Sequence, residues 1–273
     1  MSILKEPGKR SIQLEVEVRG TPEEVWQAIA TGNGFTAWFT RCEIEEREGG
    51  AVVHYMGGGE SSGVVTAWQP PHRFASEAPN YMPGAPALAT EILVEARSGG
   101  TCTVRLVSSL FTDAADWDGQ LEGLESGWPA FLQVLRIYLA GSAGQRAAMA
   151  ELAGMTEGPV DRAFTGFKEA LGLSGAAAGS RVEAPAGSPP FAGVVERSDS
   201  HAVVVRMESP IRGAAVLGTH NCGGPVMTWL NLYAYGSDAE RDVESAAAPW
   251  RAWMAERYPM PASPESPEAA ASA

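Results

Sequence analysis

Cysteine is scarce in this 273-residue chain: Cys42, Cys102 and Cys222 stand far apart, with no CxxC pair among them. An odd, scattered set supports neither a disulfide framework nor a zinc site, and reads as buried thiols in a reducing compartment. Positive charge is also short. Lysine and arginine number 20 against 33 aspartates and glutamates, a net charge of -13. That balance suits a phosphate backbone poorly and excludes nucleic acid as an expected partner; the acidity reads as general solubility. No apolar run approaches the roughly 20 residues that a membrane helix needs, so no membrane is expected. The opening MSILKEPGKR carries no apolar stretch of the kind a secretory signal uses. The expected location is cytoplasmic.

Catalytic motifs are missing too. The four histidines, His54, His72, His201 and His220, show no HxxxH or HExxH spacing, so neither a metal nor a cofactor is expected. Gly57-Gly58-Gly59 lacks the Lys-Ser or Lys-Thr of a phosphate cradle and reads as a hairpin turn. No Gly-x-Ser-x-Gly elbow exists. Asp113, Asp116 and Asp118 do not fit a calcium loop, and read as acidic residues favouring the macrodipole at the start of a helix. His54 is the one candidate general base, against the alternative that it faces water. No catalytic residue is assigned.

What the sequence does contain is a clear order of elements. Ile12, Leu14, Val16 and Val18 alternate with Gln13, Glu15 and Glu17, the mark of a half-buried strand. Thr21-Pro22-Glu23-Glu24 then opens a helix with a capping box, and a second short helix with Phe35, Trp38 and Phe39 follows Gly34. Strands are predicted over 43–47, 51–56, 63–68, 72–77, 90–96 and 101–110. From 121 to 139 the period turns helical, with Leu124, Trp128, Phe131, Leu132, Leu135 and Tyr138 along one side. Strands joined by short turns are antiparallel, and the last helix is the obvious cover for the sheet. The class is α+β.

The first half is echoed in the second. Gly63-Val64-Val65 answers to Gly193-Val194-Val195, Gly99-Gly100 to Gly223-Gly224, Thr112-Asp113-Ala114 to Ser237-Asp238-Ala239, and Trp128 to Trp250. The opening helix recurs at 160–171. The resulting division is a first domain over 1–141, a linker over 142–156, a shorter second domain over 157–260 without the first strand and early hairpin, and a disordered tail over 261–273.

Taken in order, Thr21-Pro22-Glu23-Glu24-Val25-Trp26, Gly34-Phe35-Thr36-Ala37-Trp38-Phe39, Pro70-Pro71-His72-Arg73-Phe74, Gly99-Gly100-Thr101 and Gly127-Trp128 resemble the START-like (SRPBCC) superfamily over about residues 10–140. The branch related to activators of the heat-shock chaperone ATPase is the nearest likeness. The resemblance implies a helix-grip fold, an antiparallel sheet wrapped around a long C-terminal helix, here duplicated. Together with the aromatic residues of the first half, it leads to the expectation of a small apolar or aromatic ligand, with no catalysis assumed. The alternatives are a polyketide cyclase or aromatase, or a chaperone-associated interaction protein. Trp38, Phe39, His54, Tyr55, Trp68, Phe74, Trp117, Trp128 and Phe131 fall on the elements that would line such a cavity. His54, Arg105 and Ser108 are its polar handles, although strand parity points Arg105 outward.

Overall fold

The structure, a computed structural model, describes residues 3–79, 81–82, 84–221 and 224–261. A short edge strand, β1 (Leu4–Glu6), precedes β2 (Lys9–Arg19), whose alternation puts Ile12, Leu14 and Val18 inside and Gln13, Glu15 and Glu17 in solvent. Helix α1 (Pro22–Ala30) opens on the expected capping box: the Glu24 N–H donates to Thr21 Oγ1 at 3.3 Å, and the Thr21 N–H donates to the Glu24 carboxylate at 2.8 Å. Helix α2 (Gly32–Thr36) starts before Gly34 and stops short of Trp38, which with Phe39 lies in the following turn. Gly34 lets the two helices meet, because a Cβ there would sit 2.1 Å from the Gln27 carbonyl oxygen.

Six antiparallel strands follow: β3 (Arg41–Ile44), β4 (Ala51–Met56), β5 (Gly59–Gln69), β6 (Arg73–Ala78), β7 (Leu88–Arg97) and β8 (Thr101–Leu110). Gly57 and Gly58, both at positive φ, make the β4–β5 turn. The sheet order is β1-β2-β8-β7-β6-β5-β4-β3, so the two ends of the unit pair with each other. Helix α3 (Asp118–Gly141) lies on the inner face, burying Leu121, Trp128, Leu132, Leu135 and Leu139 against Ile12, Leu14, Val104 and Leu106. The helix start is tied to the sheet. Arg10 grips Asp118 through Nε (2.5 Å) and Nη2 (3.0 Å), and holds that carboxyl well below the usual range, at about 2. The macrodipole role expected of Asp118 is thus joined by an ion pair.

The second unit repeats this plan. It comprises β9 (Ala147–Thr156), α4 (Val160–Ala170), β10 (Arg181–Glu183), β11 (Ala192–Ser198), β12 (Ala202–Ser209), β13 (Gly213–Asn221), β14 (Val226–Tyr235) and α5 (Ala239–Arg257). Its sheet runs β10-β11-β12-β13-β14-β9, again pairing first strand with last. The internal echo is physical at Gly63 and Gly193. A Cβ on either would meet the carbonyl oxygen of the next strand, Glu77 at 2.4 Å or Arg206 at 2.3 Å. One bulge follows each, after Val65 and after Val195. The backbones of Val65 and Val195 exchange hydrogen bonds with Gly49-Gly50 and with Gly179-Ser180, in the same pattern.

Two expectations are corrected here. Most of the linker placed over 142–156 is strand β9, so the second unit does possess a first strand. Its sequence, AAMAELAGMT, hides the alternation because small residues of poor strand propensity sit on both faces. Smallness is required: a Cβ on Gly154 would lie 2.1 Å from the Tyr258 carbonyl oxygen. What the second unit lacks is a counterpart of α2 and of two strands, β1 and β3, with turns alone over 171–180. Gly223, Cys222 and, apart from Pro261, the tail expected to be disordered lie outside the described residues.

The second sheet is buried on both faces. Leu152, Val203, Val205, Leu217, Leu230 and Leu232 pack with α4 and α5 around Phe164, Phe167, Trp250 and Trp253. Ala202, Val204, Ala214, Val216 and Tyr233 join the core of the first unit, against α3. No helix among the described residues is long and apolar enough to cross a membrane.

Candidate functional site

A continuous array of rings runs through the interior between the first sheet and its helices. Trp26 of α1 meets Trp68 at 5.1 Å between centroids, Trp68 meets Phe74 at 6.1 Å, and Phe74 meets Phe35 of α2 at 5.7 Å. Phe35 stacks on Trp38 at 5.4 Å, and Phe39 lies 4.7 Å from Trp128 and 5.1 Å from Phe131 of α3. The array leaves the first unit where Phe131 stacks on Trp229 of β14, 6.0 Å away and 14° from parallel. Two indole N–H groups inside it are satisfied. Trp38 donates to the Ala28 carbonyl oxygen at 2.9 Å, and Trp128 to Ser108 Oγ at 3.1 Å.

His54 stands in the wall of this array. Strand β4 turns it inward, with the edges of Phe35 and Phe39 against it at 5.2 and 5.7 Å. Its Nε2 lies 3.9 Å from Cys42 Sγ on the paired strand β3, and the Cys42 thiol donates to the Glu43 carbonyl oxygen at 3.8 Å. Its Nδ1 is buried with no hydrogen-bond partner among the described residues. Burial penalises the imidazolium and pulls the pKa down to about 4, so the ring is neutral at pH 7. Burial likewise pushes the Cys42 thiol up to about 12, which leaves it protonated and unreactive. Two tautomers fit this contact: an Nε2–H donating to the sulfur leaves Nδ1 a bare acceptor, and a thiol donating to Nε2 leaves an Nδ1–H without an acceptor.

Of the nine residues expected at the cavity, Trp38, Phe39, His54, Trp68, Phe74, Trp128 and Phe131 are brought into contact in one chain of rings. Trp117 is half-buried against the same core, beside the start of α3 and outside that chain. Tyr55 is a correction. One residue along the strand from His54, it points to the opposite face, where the Arg41 guanidinium covers its ring at 4.5 Å. Arg105 faces outward as its parity requires, paired with Glu15 at 2.7 Å. His72 lies in the turn before β6, its Nδ1 3.4 Å from the Val94 carbonyl oxygen. Sequence reasoning left out Trp26, Phe35 and Trp229. The first two carry a signal, since Trp26 shares a helix face with Ile29, and Phe35 is spaced i+3 and i+4 from Trp38 and Phe39. Trp229 carries none, because it arrives from the other unit.

That unit also holds the α2 turn in place. The Tyr233 hydroxyl donates to the Phe39 carbonyl oxygen at 2.6 Å, and the Tyr235 hydroxyl to that of Ala37 at 3.0 Å. Asn33 donates to the Gln145 carbonyl oxygen at 3.1 Å and accepts from the Ala147 N–H at 2.9 Å. The Gly57 N–H reaches the Glu151 carboxylate at 3.0 Å. Among the described residues no group of three His, Cys, Asp or Glu side chains is placed to hold a metal ion.

Residues 9–171 match the family model described as polyketide cyclase / dehydrase and lipid transport. The chain belongs to this family. The match runs from β2 through α4, the body of the first unit with the opening strand and helix of the second, and it bears out the START-like resemblance. Solved structures similar to this family member include three proteins. CalU16 from Micromonospora echinospora is 23% identical, over 49% of this chain and 76% of its own, with a TM-score of 0.42. DynU16, from the dynemicin biosynthetic locus, is 16% identical over 90% and 96%, with a TM-score of 0.43. BexL, a di-domain ARO/CYC from the BE-7585A biosynthetic pathway, is 13% identical over 90% and 92%, with a TM-score of 0.44. No curated protein matches the chain in sequence.

Proposed function

We propose that the first unit binds a small, flat, apolar or aromatic molecule among the rings around His54, and does so without chemical change. The observation that carries this reading is the unpartnered Nδ1 of His54 in an aromatic wall. A buried polar atom without a partner costs about 1–3 kcal/mol, and a ligand group that meets it recovers that cost on binding. With its proton on Nε2 the imidazole offers Nδ1 as an acceptor for a hydroxyl or N–H, and with it on Nδ1 a donor for a carbonyl or ether oxygen, so the ligand carries one polar group on an otherwise apolar frame. Flat rings stack on Phe39, Trp128 and Phe131. The half-buried Phe39 and Phe131 are the side chains that yield to admit it, Phe131 parting from Trp229.

The family description also names cyclases, and an unprotonated imidazole is what a general base must be. A base with a pKa of about 4 is weak at neutral pH, however, and its ionisable neighbour, the Cys42 thiol, is held protonated by burial. Binding is therefore the leading reading, and cyclisation of a polyketide-type substrate the second.

The test is native mass spectrometry of the purified chain, followed by a thermal-shift screen of aromatic and lipid-like compounds. A bound compound raises the melting temperature with the logarithm of its excess over Kd. The expected outcome is a co-purifying mass or a shift that Trp128→Ala and His54→Leu abolish, with the compound recovered unchanged. Recovery of a cyclised or dehydrated product selects the second reading. A broad library giving neither mass nor shift rejects both.

A further inference from the structure

Two adjoining clefts lie along the seam where the C-terminal half of α3 meets β11 and β12. The larger, about 650 Å³, is lined by Arg19 at the end of β2, Arg136 of α3 and Arg206 of β12, with the carboxylates Glu17 and Glu196. The smaller, about 470 Å³, shares Arg206 and the apolar Ile137 with it, and adds Arg212 and Glu208. Both exceed the roughly 300 Å³ at which small-molecule sites begin.

The charges there are not all spent. Arg206 is committed to Glu196 at 2.8 Å and Glu208 at 3.5 Å. Arg19, Arg136 and Arg212 have no carboxylate within ion-pair distance among the described residues, and Arg136 donates only to its neighbour Gln133, at 3.4 Å. Against them stands one unpaired carboxylate, Glu17. This is unusual in a chain with a surplus of 13 negative charges, where most arginines find an acidic partner. Arg19 and Arg136 line the larger cleft and Arg212 the smaller, and with Arg206 they outnumber the lining carboxylates Glu17, Glu196 and Glu208 in a chain that is acidic as a whole. Guanidinium forks match carboxylate and phosphate oxygens, and Ile137 offers an apolar surface between them.

We propose that this seam is a second ligand site, which takes a small organic oxyanion through Arg19, Arg136 and Arg212 and seats its apolar part on Ile137. The site exists only while the two units are docked, because β2 and α3 supply one wall and β12 the other. It uses a stretch of α3 beyond Trp128 and Phe131, and is independent of the aromatic interior.

Isothermal titration of the full chain at low salt with phenyl phosphate, benzoate and uncharged phenol tests this. Phenyl phosphate, benzoate or both bind, with affinity falling as salt is raised. Binding of the phosphate alone identifies the ligand as a phosphate ester, and of benzoate alone as a carboxylate. The double variant Arg19→Gln/Arg136→Gln weakens binding at least tenfold and leaves the melting temperature unchanged, since neither side chain holds an ion pair. Arg162→Gln, on α4 away from the seam, leaves binding unchanged. The proposal fails if neither anion binds, if phenol binds as well as they do with the double variant indifferent, or if Arg162→Gln weakens binding as much as the seam variant.

Discussion

The two units use one plan for different ends, and the clearest difference lies in what covers their sheets. In the first, the helix-facing side is packed and the other meets water, so β2 reads as alternation between Ile12, Leu14, Val18 and Gln13, Glu15, Glu17. In the second, α4 and α5 cover one face while α3 covers the other. Its central strands accordingly run Ala202-Val203-Val204-Val205 and Gly213-Ala214-Ala215-Val216-Leu217 without a polar break, and all nine residues are buried. The interiors differ as well. The first holds His54, Cys42 and Ser108 among its aromatic rings; the second has rings too, Phe167, Phe191, Trp250 and Trp253, set over a sheet face of mostly alanine, valine and leucine. One unit thus buries an imidazole among its rings, and the other is the support that pins the α2 turn.

The largest effect that sharpens this contrast comes from a charge placed on each face. Val203→Asp and Val204→Asp point to opposite sides of the second sheet, and each is expected to cost about 4 kcal/mol or more, because either side buries the carboxylate unpaired. Gln13→Asp, on the open face of the first sheet, stays within about 0.5 kcal/mol. Urea denaturation of the three variants measures the difference. A tolerated Val204→Asp would mean that the units are not docked in solution.

Next in size is the acid response of His54. Its pKa is about 4 in the fold against an ordinary 6.5, so below pH 6.5 the unfolded chain takes up a proton that the folded chain refuses. Stability therefore falls as pH drops from 6.5 to about 4 and levels off below that, a loss of about 3 kcal/mol in all. Denaturation curves at pH 7 and at the acid end are expected to differ less in His54→Leu than in the parent chain, by that amount. An identical pH dependence would place the imidazole in water.

The last-helix tryptophans separate the units by a smaller margin. Trp128→Phe strands the buried Ser108 hydroxyl and is expected to cost about 1–2 kcal/mol. Trp250 has an indole N–H that is buried without a partner among the described residues, and its ring lies against Phe191 and Trp253. Trp250→Phe loses no hydrogen bond and is expected to be near neutral. The smallest contrast is at the helix starts. Thr21→Ala breaks the capping box of α1 for about 1 kcal/mol, whereas Pro159 gives α4 no side-chain cap to lose. Thermal melts resolve both pairs.

Much of the first unit was legible because its signals are local. Alternation in β2, the Thr21–Glu24 box and the helical period of α3 each depend on a few neighbouring residues and on one face meeting water. Strand β9 was hidden for the opposite reason: with small apolar residues on both faces and Glu151 its one exposed side chain, a single polar beat is too little to mark the pleat. The candidate site divides in the same way. Pleat parity gave Arg105 its outward direction, but the aromatic set overrode it at Tyr55, which its parity with the inward His54 sends to the outer face.

By itself the sequence determined the α+β class, the antiparallel run of successive strands in the first unit, the covering helix and the existence of a second copy. These follow from periodicity, turn glycines and caps, which act over a few residues. Only the tertiary structure decided that the second sheet is buried twice over, that Trp229 closes the array at Phe131, and that Arg19, Arg136 and Arg212 share a seam. Each of those brings together residues far apart in the chain, whose proximity is set by how two packed units dock and is written in no local pattern.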